Sequence, residues 1–178
     1  HAAQVVQNAE AATPIARGKA EAKSAYEWFV EGLRLVGTGT NEKEAEEAYR
    51  KALALDDALA AAHTNLGTLL FRRGDAAAAK LEFEAALASD PEQAEARYNL
   101  ANILMEEGQM ELAAAELKHV LQLAPDFADA HYNLASALET LGSKAQAREH
   151  LRRYLALART SDDDPYVIEA RERLERLG

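Results

Sequence analysis

The sequence predicts an all-α fold in which short antiparallel helix pairs stack into a solenoid. Three observations carry that expectation. The first is a fixed period. Gly74, Gly108 and Gly142 are 34 residues apart, and the same step separates Asn65, Asn99 and Asn133, and Ala79, Ala113 and Ala147. A period of this length marks stacked supersecondary units. The second is composition: 40 of the 178 residues are Ala and only 6% are aromatic. Ala has the best helix propensity and lets helix backbones approach closely. The third is punctuation, because Gly and Pro fall at constant places and divide each period into two helix-length segments.

Taken in order, residues 1–24 form an N-terminal extension. Thr13-Pro14 reads as an N-cap followed by Pro at the first helical position. A helix is expected from about residue 14 to Val36, with Gly18 costing it about 1 kcal/mol relative to Ala. The extension is expected to dock on its own chain or on a neighbour. Residues 25–59 are a degenerate first copy, one residue longer at Gly37-Thr38-Gly39-Thr40-Asn41, with Glu42, Glu44, Glu46 and Glu47 crowding the next helix start. Carboxylates there favour the helix dipole.

The regular copies are 60–93, 94–127 and 128–161. In the first of these, helices are expected over 60–72 and 76–88, with Gly74-Asp75 as the turn and Asp90-Pro91 as the stop. The next copy turns at Glu107-Gly108-Gln109 and stops at Ala124-Pro125-Asp126. The last turns at Leu141-Gly142-Ser143 and runs on to about Ala158, because Arg159 replaces the Pro. Residues 162–178 form a capping helix started by Asp164-Pro165. Tyr166, Ile168, Ala170, Leu174 and Leu177 are expected on its inner side, with solvated Glu and Arg outside.

Charge and chemistry narrow the function. Net charge is −10 with a pI near 5.0, which opposes direct nucleic-acid binding because that needs a basic footprint. From Lys144 onward, eight basic residues face seven acidic ones, so the first 143 residues carry the acidic surplus. A neutral or basic partner suits them better than an acidic one. No apolar run is long enough for a transmembrane span. Cysteine is absent, which fits the cytoplasm and leaves the periplasm open. The chain opens on His1 rather than Met, so residues upstream are expected.

No Gly-rich phosphate loop, nucleophile elbow or helix-borne His pair occurs, so no enzyme activity, cofactor or metal is expected. Asp162 to Asp164 lack the central Gly and distal Glu of a calcium loop. His63 and His131 sit two copies apart, roughly 20 Å by simple stacking. His119 and His150 read as packing or surface residues. Glu42 to Glu47 and Glu106-Glu107 read as solvated faces.

The repeat resembles the tetratricopeptide repeat family. Counting from Ala60, Ala94 and Ala128, the small position 8 is Gly67, Ala101 and Ala135, and the small position 20 is Ala79, Ala113 and Ala147. The large position 24 is Phe83, Leu117 and Leu151, and position 32 is Pro91 and Pro125. The resemblance covers about 25–161 and implies a right-handed α-α superhelix of four helix pairs. Positions 8 and 20 then face one another, and position 24 fills the gap toward the next repeat. Two departures stand out. The aromatic of position 4, present as Trp28, becomes His63, Arg97 and His131, and the small position 27 becomes Val120 and Tyr154. The larger side chains are expected to alter the stacking angle at the C-terminal end.

The resemblance also implies a concave groove lined by the first helix of each pair. Its candidate peptide-binding residues are Asn65, Arg72, Glu95, Tyr98, Asn99, Asn102, Asp129, Tyr132 and Asn133, with Thr64, Thr68, Glu106 and Ser136 beside them. An Asn amide both donates and accepts, so it can hold an extended peptide backbone. Tyr98 and Tyr132 can pack peptide side chains while their hydroxyls stay wet. Members that bind acidic chaperone tails need cations at positions that here hold Thr64, Asp129 and Asn133, or Phe29, Glu95 and Asn99. A carboxylate terminus would meet Glu95 and Asp129 and be repelled, so such tails are excluded. The leading expectation is a non-catalytic protein-interaction scaffold. Two others differ in class. One is the sensing or oligomerising part of a bacterial helix-turn-helix regulator, or an envelope assembly factor. The other is a homo-oligomer formed by docking residues 1–23 into a neighbour's groove.

Overall fold

In the computed structural model, three turns close with the same pair of hydrogen bonds. Gly74 N donates to Phe71 O (2.9 Å) and Asp75 N to Leu70 O (2.9 Å); Gly108 and Gln109, and Gly142 and Ser143, repeat the pattern. This is a Schellman closure, which needs a left-handed residue at its centre. The three glycines supply it with φ of 88°, 75° and 75°. The turns therefore recur because the sequence places Gly at the one position where any other side chain is strained.

The structure describes residues 23–37, 41–158, 161 and 163–178. The helix expected between residues 14 and 24 lies outside the described residues, apart from its last two positions, which are not helical. The lengthened turn falls largely outside them as well. Among the described residues every regular element is a helix: α1 (Ala25–Gly37), α2 (Glu42–Leu55), α3 (Ala60–Arg72), α4 (Ala76–Ser89), α5 (Ala94–Glu106), α6 (Met110–Leu123), α7 (Ala128–Thr140), α8 (Lys144–Leu157) and α9 (Pro165–Leu177). They pair α1 with α2, α3 with α4, α5 with α6 and α7 with α8. Each pair packs on the next, and α9 covers α8. The architecture is an all-α repeat superhelix.

The core is built by matching sizes. A Cβ added to Gly67 would stand 2.7 Å from Cε1 of Phe83, and one added to Gly32 would run into the Tyr49 ring. Where position 8 is Ala, as at Ala101 and Ala135, position 24 is the smaller Leu117 and Leu151, all fully buried. The Phe83 ring packs against Gly67 of its own pair, where the missing Cβ leaves room, and shares one buried cluster with Ala96 and Leu100 of the next pair.

The position 4 residues act as clasps. His63 meets Glu82 (2.7 Å) and the carbonyl of Asp57 (3.0 Å). Arg97 meets Glu116 (2.6 Å) and the carbonyl of Pro91 (2.9 Å). His131 meets His150 (2.8 Å) and the carbonyl of Pro125 (3.0 Å). Each ties the preceding turn to the second helix of its own pair, so His150 is a clasp partner as well as a packing residue.

Two surface expectations are corrected. Glu46 is buried, with Arg73 (2.6 Å) and Arg50 on its carboxylate. Burial alone would push its carboxyl up, but the two guanidinium groups hold it below the usual range. On α9, Tyr166 and Ile168 are 60% and 44% exposed, whereas Val167, Ala170 and Arg173 are buried. The inner face follows the 3–4–3 spacing Val167, Ala170, Leu174, Leu177. Arg173 joins it because its guanidinium bonds Glu139 (2.6 Å) and Ser136 (2.9 Å) on α7.

Candidate functional site

The first helices of successive pairs lie beside one another, α3 next to α5 and α5 next to α7. Position 6 of one faces position 9 of the one before. Asn99 Nδ2 donates to Thr68 Oγ1 (3.3 Å), and Asn133 Nδ2 donates to Asn102 Oδ1 (2.8 Å) and to Tyr98 OH (3.1 Å). Asn65 breaks the series. Its equivalent neighbour is Leu33, which offers no acceptor, and it donates instead to Ala61 O one turn back (2.8 Å). The amide ladder thus couples repeats to one another. Asn133 has both N–H groups engaged and keeps Oδ1 as its remaining acceptor.

At the C-terminal end these side chains open into a pocket of about 280 Å³, lined by Tyr98, Asp129, Tyr132, Asn133, Tyr154 and Tyr166. It lies between α5, α7, α8 and α9. Tyr132 is its hub, with ring centroids 5.0 Å from Tyr154 and 5.7 Å from Tyr166, the latter edge-on. The Arg173 guanidinium stacks on Tyr132 at 4.8 Å. Tyr98 is held from behind by Phe127, 4.7 Å between centroids.

Tyr98, Tyr132 and Tyr154 are neutral phenols. Burial pushes Tyr132 up to about 12, helped by its hydrogen bond to Glu169. Burial, then the charges of Asp164 and Asp129, push Tyr154 up as well. Tyr98 is raised chiefly by burial, against its bonds to Asn102 and Asn133. The formal charge in the lining is the exposed carboxylate of Asp129.

Of the nine residues expected to bind, the pocket unites Tyr98, Asp129, Tyr132 and Asn133, with Asn102 bonded behind them. Asn65 and Asn99 sit along α3 and α5 away from it. Glu95 is exposed at the start of α5, and Arg72 turns to Glu42 of α2 (2.8 Å). The sequence reading missed Tyr154 and Tyr166. Tyr154 carried a signal, a large side chain at position 27 where the second copy has Ala86; Tyr166 lies beyond the period and carried none. Among the described residues no three metal-ligating side chains cluster, and no helix is long and apolar enough to cross a membrane.

Known structures share the fold. MamA aligns with a TM-score of 0.69 and 22% identity over 82% of this chain and 81% of its own. YrrB, described as a repeat protein with an unusual peptide-binding site, gives 0.71 and 20% over 86% of each. PilF of Pseudomonas aeruginosa gives 0.67 and 24% over 86% of this chain and 76% of its own. No curated protein sequence matches significantly. Two family models, each described as tetratricopeptide repeat, match residues 64–126 and 104–174. Sequence period, Schellman turns, helix pairing and these matches agree: the chain belongs to the tetratricopeptide repeat family.

Proposed function

We propose that this chain is a non-catalytic interaction scaffold that binds an extended peptide along its first helices, with the tyrosine pocket as the principal contact. The observation that carries the reading is the convergence of Tyr98, Asp129, Tyr132 and Asn133 on one pocket beside the amide ladder. Backbone groups of a peptide would meet amide oxygens, and one side chain would enter the pocket. The peptide-binding site described for YrrB makes the same use of the fold plausible here. The partner is neutral or basic, since Glu95 and Asp129 at equivalent positions repel a carboxylate.

The test is selection of a randomised peptide library against the intact chain, followed by hydrogen exchange with a selected synthetic peptide. Protection is expected on α3, α5 and α7. Protection confined to α4 and α6, or no selected binder, removes the groove assignment.

A further inference from the structure

The pocket's donors and acceptors are unbalanced. Asn133 has committed both N–H groups to Tyr98 and Asn102. The lining residues otherwise offer the Asp129 carboxylate, the Asn133 carbonyl and phenolic oxygens that accept as readily as they donate. Arg173 stacks on Tyr132 and is already matched by Glu139 (2.6 Å) and Glu169 (3.7 Å). Among the described residues, Asp164, Asp129 and Glu169 also bear on the Tyr154 hydroxyl, and all are acidic.

An anion placed here would meet a carboxylate, and among the described residues no cation lines the pocket. An apolar group would strip water from Asp129 without replacing its hydrogen bonds and leave a charged group unsatisfied. A cation bearing several N–H donors satisfies both the charge and the acceptors. Tyrosine rings suit it as well, because their faces attract cations, and Tyr132 already holds one in the form of Arg173. A pocket of about 280 Å³ falls at the lower edge of the range of about 300–1,000 Å³ typical of small-molecule sites. That size suits one long side chain better than a whole cofactor.

We propose that the pocket receives the ammonium or guanidinium end of a Lys or Arg side chain presented by the bound peptide, with Asp129 as its counter-charge and the tyrosines as its walls. This rests on the peptide-binding reading above and adds the identity of the anchor. The acidic surplus of the chain steers such a partner toward the surface, and Asp129 fixes its register.

The same peptide library, selected against the intact chain and against Asp129→Asn, tests it. Asp129 is exposed, so the substitution leaves folding intact. Peptides selected by the unmodified chain should share Lys or Arg at one fixed position. Replacing that residue with norleucine in the synthetic peptide should weaken binding about tenfold or more, and Asp129→Asn should lose a similar factor. Lys and Arg forms compared side by side show which tip is preferred. Peptides that protect α3, α5 and α7 but carry no basic preference overturn the anchor and leave the scaffold reading standing. The same holds for a basic preference lost with Glu95→Gln and kept with Asp129→Asn. Selection of no peptide on these helices overturns both.

Discussion

Nδ1 of His131 lies 2.8 Å from Nδ1 of His150, at the place where the two preceding copies set His63 and Arg97 against carboxylates. Nε2 of His131 faces the Pro125 carbonyl and must donate. In a neutral ring its Nδ1 is then the acceptor, and His150 donates to it; this tautomer assignment follows from the bonding network. Protons on both rings would set two N–H groups against each other.

The fourth pair should therefore lose stability in mild acid. Burial first, then the neighbouring His131, push the His150 imidazole below its ordinary 6.5; Lys118 acts in the same direction and Glu149 against it. A histidine whose folded pKa is lowered contributes stability that is complete above 6.5. That contribution is lost as pH falls from there through the lowered value, where the unfolded chain binds more protons. Urea midpoints between about pH 7.5 and about pH 5 should show this loss, and His150→Glu, which restores the carboxylate of the other copies, should flatten it. Equal pH slopes in both proteins would count against the assignment.

The Gly67–Phe83 contact makes a second prediction. Gly67→Ala puts a methyl group 2.7 Å from the ring, and overpacking of this kind costs about 1–3 kcal/mol. Phe83→Leu alone leaves a void. Together the two changes recreate the Ala–Leu pairing of the third and fourth copies, so the double variant should be more stable than the sum of the single losses implies. Chemical denaturation of all four proteins measures the coupling. Strict additivity would show that the two positions do not share one space.

Backbone strain alone is tested at Gly108. Its φ is 75° and an added Cβ would meet nothing within 4 Å. Gly108→Ala should cost about 1–2 kcal/mol through the left-handed conformation, and Gly108→Asn less, because Asn tolerates that region. A neutral Gly108→Ala would mean that the Schellman turn is not what closes α5.

The positions that set the fold were legible because they recur: Gly at the turns, Ala and Leu in the core, each constrained by a backbone angle or a volume that repeats every 34 residues. The clasps were less legible, although their partners stand 19 residues apart in each of the three regular copies, because the pairing changes chemistry from His–Glu to Arg–Glu to His–His. Arg173 and Glu46 read as solvated charge. Each is buried against an opposite charge on another helix; the Glu46–Arg73 pair, 27 residues apart, recurs in the next copy as Lys80–Glu107 with its charges exchanged, so the sign of a charge at one position does not reveal its partner. The pocket was half visible. Tyr98, Asp129, Tyr132 and Asn133 repeat or face the expected side, whereas Tyr154 and Tyr166 come from the departure at position 27 and from the capping helix.

Arg173 should hold α9 in place. It is buried, bonds Glu139 and Ser136 across 34 and 37 residues of sequence, and stacks on Tyr132. Hydrogen bonds to charged groups contribute about 1.5–3 kcal/mol. Arg173→Met keeps much of the stem and removes the charge. Hydrogen exchange should then accelerate in residues 165–177 and leave α3 to α6 unchanged; uniform acceleration along the chain would point to global destabilisation instead.

The asparagines divide into two kinds, and alanine substitution separates them. Asn65 donates only to its own helix at Ala61, so Asn65→Ala should be close to neutral, or slightly stabilising through the higher helix propensity of Ala. Asn133 bridges to Asn102 and Tyr98 on the preceding helix. Asn133→Ala should cost about 1–2 kcal/mol by removing two inter-repeat bonds and leaving their acceptors to water. A loss of peptide affinity in Asn133→Ala therefore mixes a contact with a change in stacking, whereas the same loss in Asp129→Asn does not. Urea denaturation of the two alanine variants decides the point: equal midpoints for Asn65→Ala and Asn133→Ala would remove the amide ladder as a coupling between repeats.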